Sequence, residues 1–332
     1  MAATPLETRR IVIAGASSLL GAELKSLLEE SRFAASDFRL LDEETAAGTL
    51  TQAGGEAAVI QPVEEDSFDR AWMVFFAGSP AFTRANLELA KRSGAHIADL
   101  SGSLAAQNQA AVWLPKFTAL PARPSGGLYL IPSAAAEIIV RLCVALRPLG
   151  PKAVAAVAFH PVSTAGQAGI EELESQTGQL LSFQPVGKQI FDAQVAYTLL
   201  DRYGPGSAQP LGASLETMRG EIRACLPQDV EPPAVFLLHA PVFYGAMVAA
   251  CVFLDPRADV QAISGLCSQS GFTLTEADNA PTNVSCAGET SLQLAPPTRD
   301  LSNPAAWWFW AAADNIRLPA TNAVKLAEKL LE

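Results

Sequence analysis

The chain is poor in the groups that hold metals or staple small folds. It has three histidines and five cysteines in 332 residues. The cysteines, Cys143, Cys225, Cys251, Cys267 and Cys286, are odd in number and far apart, with no CxxC pair and no Cys/His ligand spacing. That pattern excludes a structural zinc site and a disulfide framework, so no metal is expected. Basic residues are also in deficit: 23 Lys and Arg stand against 34 Asp and Glu, a formal net charge of −11. Such a balance repels phosphate backbones and argues against nucleic acid as a partner. No secretory leader is expected either, because the apolar run Ile11–Ala14 gives way at once to Gly and Ser. The most apolar stretch, Ala234–Leu254, is broken by His239, Pro241 and Gly245. It reads as two buried strands around a bend rather than a membrane span. The expectation is a cytoplasmic protein with no membrane contact.

What is present is globular. Hydrophobic residues make up 49% of the chain and charged ones 17%, enough apolar surface for two cores of ordinary size. Ile11–Ala14, Phe38–Leu41, Trp72–Ala77 and His96–Leu100 read as short apolar strands. Helical stretches alternate with them, including one carrying Leu24, Leu27 and Leu28 on a single face. That alternation predicts a parallel sheet with right-handed crossovers. The rhythm changes near residue 130. Leu128–Ile131 is a strand and Ala134–Leu146 a helix, and longer β segments follow at Ala153–Phe159, Ala234–Leu238 and Val248–Leu254. Helices are expected at Gly169–Leu181, Leu215–Leu226 and Asp314–Glu332, and Gly- and Pro-rich linkers at Pro121–Gly127 and Tyr203–Gly212. The fold class is therefore α/β: a Rossmann-type parallel-sheet domain over residues 1–130, completed by the helix at 314–332, plus an α+β domain with a mixed sheet over 131–313.

A dinucleotide site needs a strand, a turn that lets the backbone approach a pyrophosphate, and a helix N-terminus with partial positive charge. The loop Gly15-Ala16-Ser17-Ser18-Leu19-Leu20-Gly21 follows the first strand and opens a helix. Gly15 and Gly21 stand where such a turn uses glycine. Ser18 replaces the middle glycine and adds a side chain on the expected path of the pyrophosphate. A βα turn that uses its glycines only for packing is the competing reading. Asp42 closes the second strand, where a carboxylate accepts from the ribose hydroxyls of NAD and, with Glu43 and Glu44, repels the extra phosphate of NADP. A solvated acidic turn is the alternative there.

The order of these features resembles the aspartate-β-semialdehyde dehydrogenase family, in particular its Usg-type paralogues. The Gly15–Gly21 loop is similar to GATGxVG. Phe76-Ala77-Gly78-Ser79 resembles an SAGGS turn, which adds Gly78 and Ser79 to the expected cofactor residues. Asp99-Leu100-Ser101-Gly102-Ser103 is similar to D-x-S-S. Ala165-Gly166-Gln167-Ala168-Gly169-Ile170-Glu171-Glu172-Leu173 resembles GAGxxGxxEL. Asp314-Asn315-Ile316-Arg317, with Asn322–Glu328, resembles the closing DNLRKGAAxNAVQIAE.

The resemblance implies an acyl-enzyme formed on a cysteine, hydride transfer to NADP, release by phosphate, and a homodimer built by the second domain. The residues depart from that chemistry. The cysteine of P-N-C-S/T aligns with Ala134 in Pro132-Ser133-Ala134-Ala135, and the acid/base histidine of R-V-P-V-x-x-G-H aligns with Ala246. His239 stands for the arginine that would clamp a substrate carboxylate, His160 for a glutamine, and Ala105 for a phosphate arginine. Ser133 reads as a helix N-cap rather than a nucleophile, since no general base is evident beside it. His160 and His239 are read as lining an abandoned pocket, with a metal pair or an acid/base pair as rivals. Cys143 reads as a packed apolar side chain. The resulting expectation is a family homologue without the standard activity, binding NAD in preference to NADP and serving a regulatory or interaction role. A small-molecule ligand is admitted. The alternative is an NAD(P)-dependent oxidoreductase acting on an aldehyde by altered chemistry through His160 or Ser133.

Overall fold

The computed structural model describes residues 9–53, 56–106, 110–120 and 126–332. Of the linker read at Pro121–Gly127, residues 121–125 lie outside the described residues. The chain divides into two compact units, Met1–Pro132 with Pro319–Glu332, and Ser133–Leu318.

The first unit contains β1 (Arg10–Ala14), α1 (Leu19–Glu29), β2 (Asp37–Asp42), β3 (Leu50–Ala53), β4 (Glu56–Val59), β5 (Gln61–Pro62), β6 (Ala71–Phe76), α2 (Pro80–Arg92), β7 (His96–Asp99), β8 (Ala111–Val112) and β9 (Leu128–Leu130). Seven of the strands form one sheet in the order β5-β2-β1-β6-β7-β9-β8. Every pairing in it is parallel. Strands covered on both faces have no side that needs polar residues, which is why β1 (RIVIA) and β6 (AWMVFF) are almost wholly apolar. Ile11, Ile13, Met73 and Phe75 pack with Leu24 and Leu28 of α1 and with Ala323, Leu326 and Ala327 of the C-terminal helix. Val12, Val74 and Phe76 pack on the other face with Phe82 and Leu87 of α2. Each such aliphatic or aromatic side chain contributes about 1.5–3 kcal/mol when fully buried. The β3–β4 hairpin is antiparallel and stands apart from this sheet. Its sequence does carry a tight-turn signal, the Gly54-Gly55 pair between two four-residue runs, which the reading above does not use.

The second unit contains α3 (Ala134–Leu146), β10 (Ala153–His160), α4 (Gly166–Leu181), α5 (Leu211–Cys225), β11 (Ala234–His239), β12 (Ala246–Phe253), α6 (Val260–Gln269), β13 (Phe272–Leu274), β14 (Leu292–Leu294), β15 (Thr298–Arg299) and β16 (Ala306–Ala313). Its sheet runs β11-β10-β12-β16-β14-β13, with β15 paired to β16. β11 is parallel to β10 and β12 antiparallel to it, so the sheet is mixed. The two strands in Ala234–Leu254 therefore flank β10 rather than each other. Nearly every residue of α3 is buried, the Glu137–Arg141 ion pair included, as befits a central helix. It packs against β10, β12 and β16 and is flanked by α5 and α6. On the sheet's other face Phe236 and Trp308 remain 49% and 47% exposed.

The last helix, α7 (Arg317–Leu330), starts three residues later than its sequence pattern implies. Asp314 is the reason: its Oδ1 accepts from Ile316 N and Arg317 N, both at 2.8 Å, so it caps the helix instead of joining it. Among the described residues no helix is long and apolar enough to cross a membrane.

Candidate functional site

The carboxyl edge of the first unit's sheet gathers the turns after β1, β6 and β7. Gly15 leaves β1 with φ +95°, and a Cβ there would lie 2.2 Å from Gly78 N. A Cβ at Gly21 would lie 2.2 Å from Gly15 O. Both glycines therefore permit close backbone approach, the first between two βα turns and the second between a turn and its own helix. Ser18 is the N-cap of α1, and its Oγ accepts from Gly21 N at 2.9 Å. The same hydroxyl lies 2.8 Å from both Gly15 O and Ala77 O, so its single proton is shared between two turns. This corrects the expectation that Ser18 obstructs a pyrophosphate: its side chain is turned back into the protein. Ala22 N bonds Ser18 O at 2.9 Å. The amides of Leu19 and Leu20 have no hydrogen-bond acceptor among the described residues.

Asp42 is not a solvated turn residue. It is 8% exposed, and its Oδ2 accepts from Ser17 N at 2.7 Å and from Ser17 Oγ at 2.6 Å. Its Oδ1 accepts from Glu43 N at 2.8 Å. The carboxylate thus fixes the exposed Ser17 at the outer rim of the glycine loop. In the second turn Ser79 caps α2 by accepting from Phe82 N at 3.0 Å, and Pro80 occupies the first helical position. Asp99, fully buried at the end of β7, accepts from Ser101 N, Ser101 Oγ and Leu104 N at 2.8, 2.6 and 2.6 Å. Burial raises its pKa against the pull of these bonds.

The second unit places the remaining candidates. Ala134 opens α3 and is 2% exposed; Ala246 opens β12 and is 3% exposed. Neither side chain can act as nucleophile, acid or base. Beside Ala246, Gly245 (φ +98°) donates its N–H to Asn315 Oδ1 at 2.8 Å, and Asn315 Nδ2 donates to Ser163 Oγ at 3.0 Å.

The histidines correct a further expectation. His160 and His239 are register partners on β10 and β11, as a shared site would require. Yet His239 is fully buried and lines no pocket. Its Nε2–H donates to Val195 O and its Nδ1 accepts from Tyr203 OH, each at 3.2 Å, within a cluster that includes the Phe191 ring. Val195 is itself placed by Gln176, whose Oε1 accepts from Val195 N at 2.7 Å. Burial lowers the His239 pKa, against the pull of the bond to Val195. Both ring nitrogens of His239 are thus hydrogen-bonded inside the protein. His160 is half-buried. Thr164 Oγ1 donates to Pro161 O at 2.7 Å and so accepts from His160 Nε2–H at 2.9 Å. Burial, and then the neighbouring His239, push the His160 pKa down to about 4. No group of three His, Cys, Asp or Glu that could hold a metal occurs among the described residues. The Cys143 thiol is buried and pushed up to about 12 by that burial, as suits an inert packed side chain.

Ser133 departs from its expected role. It occupies the N-cap of α3 but makes no side-chain capping bond. Its Oγ donates instead to Glu221 Oε2 at 2.5 Å. Glu221 was missed from the sequence, although its position gave a signal: on α5 it shares the buried spacing of Met218, Ile222 and Cys225, where a lone carboxylate needs a partner.

The two units correspond to known sequence families. Residues 10–121 match the model described as "Semialdehyde dehydrogenase, NAD binding domain", and residues 144–318 the one described as "Semialdehyde dehydrogenase, dimerisation domain". A "USG-1 protein homolog" of Azotobacter vinelandii is 30% identical, over 97% of each chain. "Aspartate-semialdehyde dehydrogenase 2" of Vibrio cholerae is 25% identical, again over 97% of each. Among solved structures, a probable aspartate-semialdehyde dehydrogenase from Pseudomonas aeruginosa superposes with a TM-score of 0.87 at 26% identity, covering 98% of this chain and 99% of that one.

Proposed function

The chain belongs to the semialdehyde dehydrogenase family, and on that premise we propose that it is a member without the family's thiol chemistry, keeping a nucleotide-binding unit and a dimerising unit for a regulatory or interaction role in the cytoplasm. The observation that carries this reading is Ala134. It stands at the N-terminus of α3, where the helix field would otherwise lower a thiol pKa and make a nucleophile. Ala246 removes the proton donor in the same reading. His239 is sealed inside the protein and cannot clamp a substrate carboxylate.

A nicotinamide dinucleotide fits the residues of the first unit. The Leu19 and Leu20 amides at the N-terminus of α1 supply donors for a pyrophosphate, and the α1 dipole favours its charge. Gly15, Ser18, Gly21, Gly78 and Ser79 build and hold that turn. The Asp42 carboxylate and Ser17 form the rim that would meet the ribose hydroxyls. With Glu43 and Glu44 beside Asp42, this rim favours NAD over NADP. When bound, the nicotinamide would supply a hydride acceptor. The residues of this chain provide no thiohemiacetal to deliver the hydride. The homodimer of this reading forms on the open face of the second unit's sheet, where Phe236 and Trp308 project.

Steady-state assay with aspartate semialdehyde, phosphate and either NAD or NADP tests the loss of chemistry. No protein-dependent turnover is expected; family-like turnover would overturn the reading.

A further inference from the structure

We propose that Ser133 and Glu221 form a serine–carboxylate dyad that accepts an acyl group from an activated donor, an ester or a thioester. The case begins with a comparison inside the molecule. Ser18, Ser79 and Ser133 all sit at helix N-caps. Ser18 and Ser79 spend their hydroxyls on their own helices, accepting from Gly21 N at 2.9 Å and Phe82 N at 3.0 Å. Ser133 holds the same extended N-cap backbone, φ −60° and ψ 154°, yet gives its proton to Glu221 Oε2 at 2.5 Å. That length marks a charge-assisted hydroxyl–carboxylate bond. Glu221 is 2% exposed, and Ser133 is one of its partners.

The diverted hydroxyl leaves the first turn of α3 open. Glu137 N is taken by Ser133 O at 2.9 Å. The amides of Ala134, Ala135 and Ala136 have no acceptor among the described residues. They head a 13-residue helix, beside the serine oxygen. A nucleophile, a base bonded to it and donors for a developing oxyanion are thus adjacent in one unit. One turn along α3, Arg141 Nε holds Glu137 Oε1 at 2.8 Å, which balances the second buried carboxylate.

The chemistry balances without a cofactor. Ser133 Oγ attacks the carbonyl carbon while its proton passes to the Glu221 carboxylate, and the α3 amides bind the oxyanion. Collapse breaks the bond to the leaving alcohol or thiol, which takes the proton from the Glu221 carboxylic acid. Water, deprotonated by Glu221, then attacks the Ser133 ester and frees the carboxylic acid, and the proton returns to Ser133 Oγ. Glu221 touches the reacting proton directly, so its loss should slow acylation rather than only loosen the fold.

The test is covalent labelling of the intact protein by an alkyl fluorophosphonate, whose fluoride is displaced by an activated serine. Peptide mapping of the wild-type adduct should place it on Ser133. Ser133→Ala should give no adduct, and Glu221→Gln should label about a hundredfold more slowly, with both variants folded by circular dichroism. Because mapping uses the wild-type protein, the test stands even if a variant fails to fold. An unlabelled wild-type protein, an adduct on another residue, or a folded Glu221→Gln variant labelling at the wild-type rate would each overturn the proposal. No nucleotide is present, so the outcome is independent of NAD binding and of semialdehyde turnover.

Discussion

The turn that opens α1 and the turn that opens α3 are built from the same parts and have diverged in what they keep. Each follows a buried parallel strand, and each places a serine at the N-cap. In the first, Ser18 closes the turn on itself and on the β6–α2 turn, and two glycines let the backbones touch. In the second, Ser133 reaches across to another helix and the position after it is alanine. The lesson is that two serines with the same N-cap backbone can send their hydroxyls to different partners, one to its own helix and one to another. α3 is buried on nearly every side, and Ala134 opens it.

The contrast should appear first in stability. Gly15→Ala adds a Cβ against Gly78 N at a positive φ, where the backbone of two turns would have to part. It should destabilise the first unit by about 3 kcal/mol or more, read by urea denaturation, and abolish NAD binding. A near-neutral result would mean that the two turns are not packed as described. Ser18→Ala removes a cap bond and should cost about 1 kcal/mol in the same measurement. Ser133→Ala removes no cap bond, so any change it makes comes through Glu221. Equal cap losses at the two serines, seen as matched fraying of α1 and α3 in hydrogen exchange, would break the comparison.

A pH effect follows from the histidines. His160 has a folded pKa pushed down to about 4 from 6.5, and His239 is lowered as well. The unfolded chain therefore binds more protons between those values, and stability falls as pH drops from 6.5 towards 4. Melting of wild type and His160→Gln across that range should show a shallower loss in the variant. Parallel curves would mean that His160 titrates normally.

The smallest effect expected is none. Ala134→Cys combined with Ala246→His restores the two reacting groups on the family pattern. It should still give no semialdehyde turnover, because His239 is bonded on both nitrogens within the core and Ala105 offers no charge for phosphate.

The sequence made the parallel sheet readable because β1 and β6 are almost wholly apolar and a glycine follows each within two residues. The proposal of lost chemistry rests on Ala134 and Ala246, which are visible as letters in a motif. The sequence could not show where the polar side chains go. Asp42 looks the same in a string whether it meets water or Ser17. Ser133 looks like any N-cap, because Glu221 is 88 residues away. His239 was placed beside a pocket because its burial depends on Val195 and Tyr203, which reach it only through the loop that Gln176 organises. The start of α7 was missed for the same reason: Asp314 fits a helical pattern and acts as its cap.

The central proposal is a nucleotide-binding turn joined in one chain to a turn without the family's thiol. It is tested most directly by calorimetric titration of the intact protein with NAD, followed by addition of aspartate semialdehyde and phosphate to the same sample. Saturable binding of NAD with no reduced nicotinamide afterwards is the predicted result. Formation of reduced nicotinamide, or no binding of NAD at all, would contradict it.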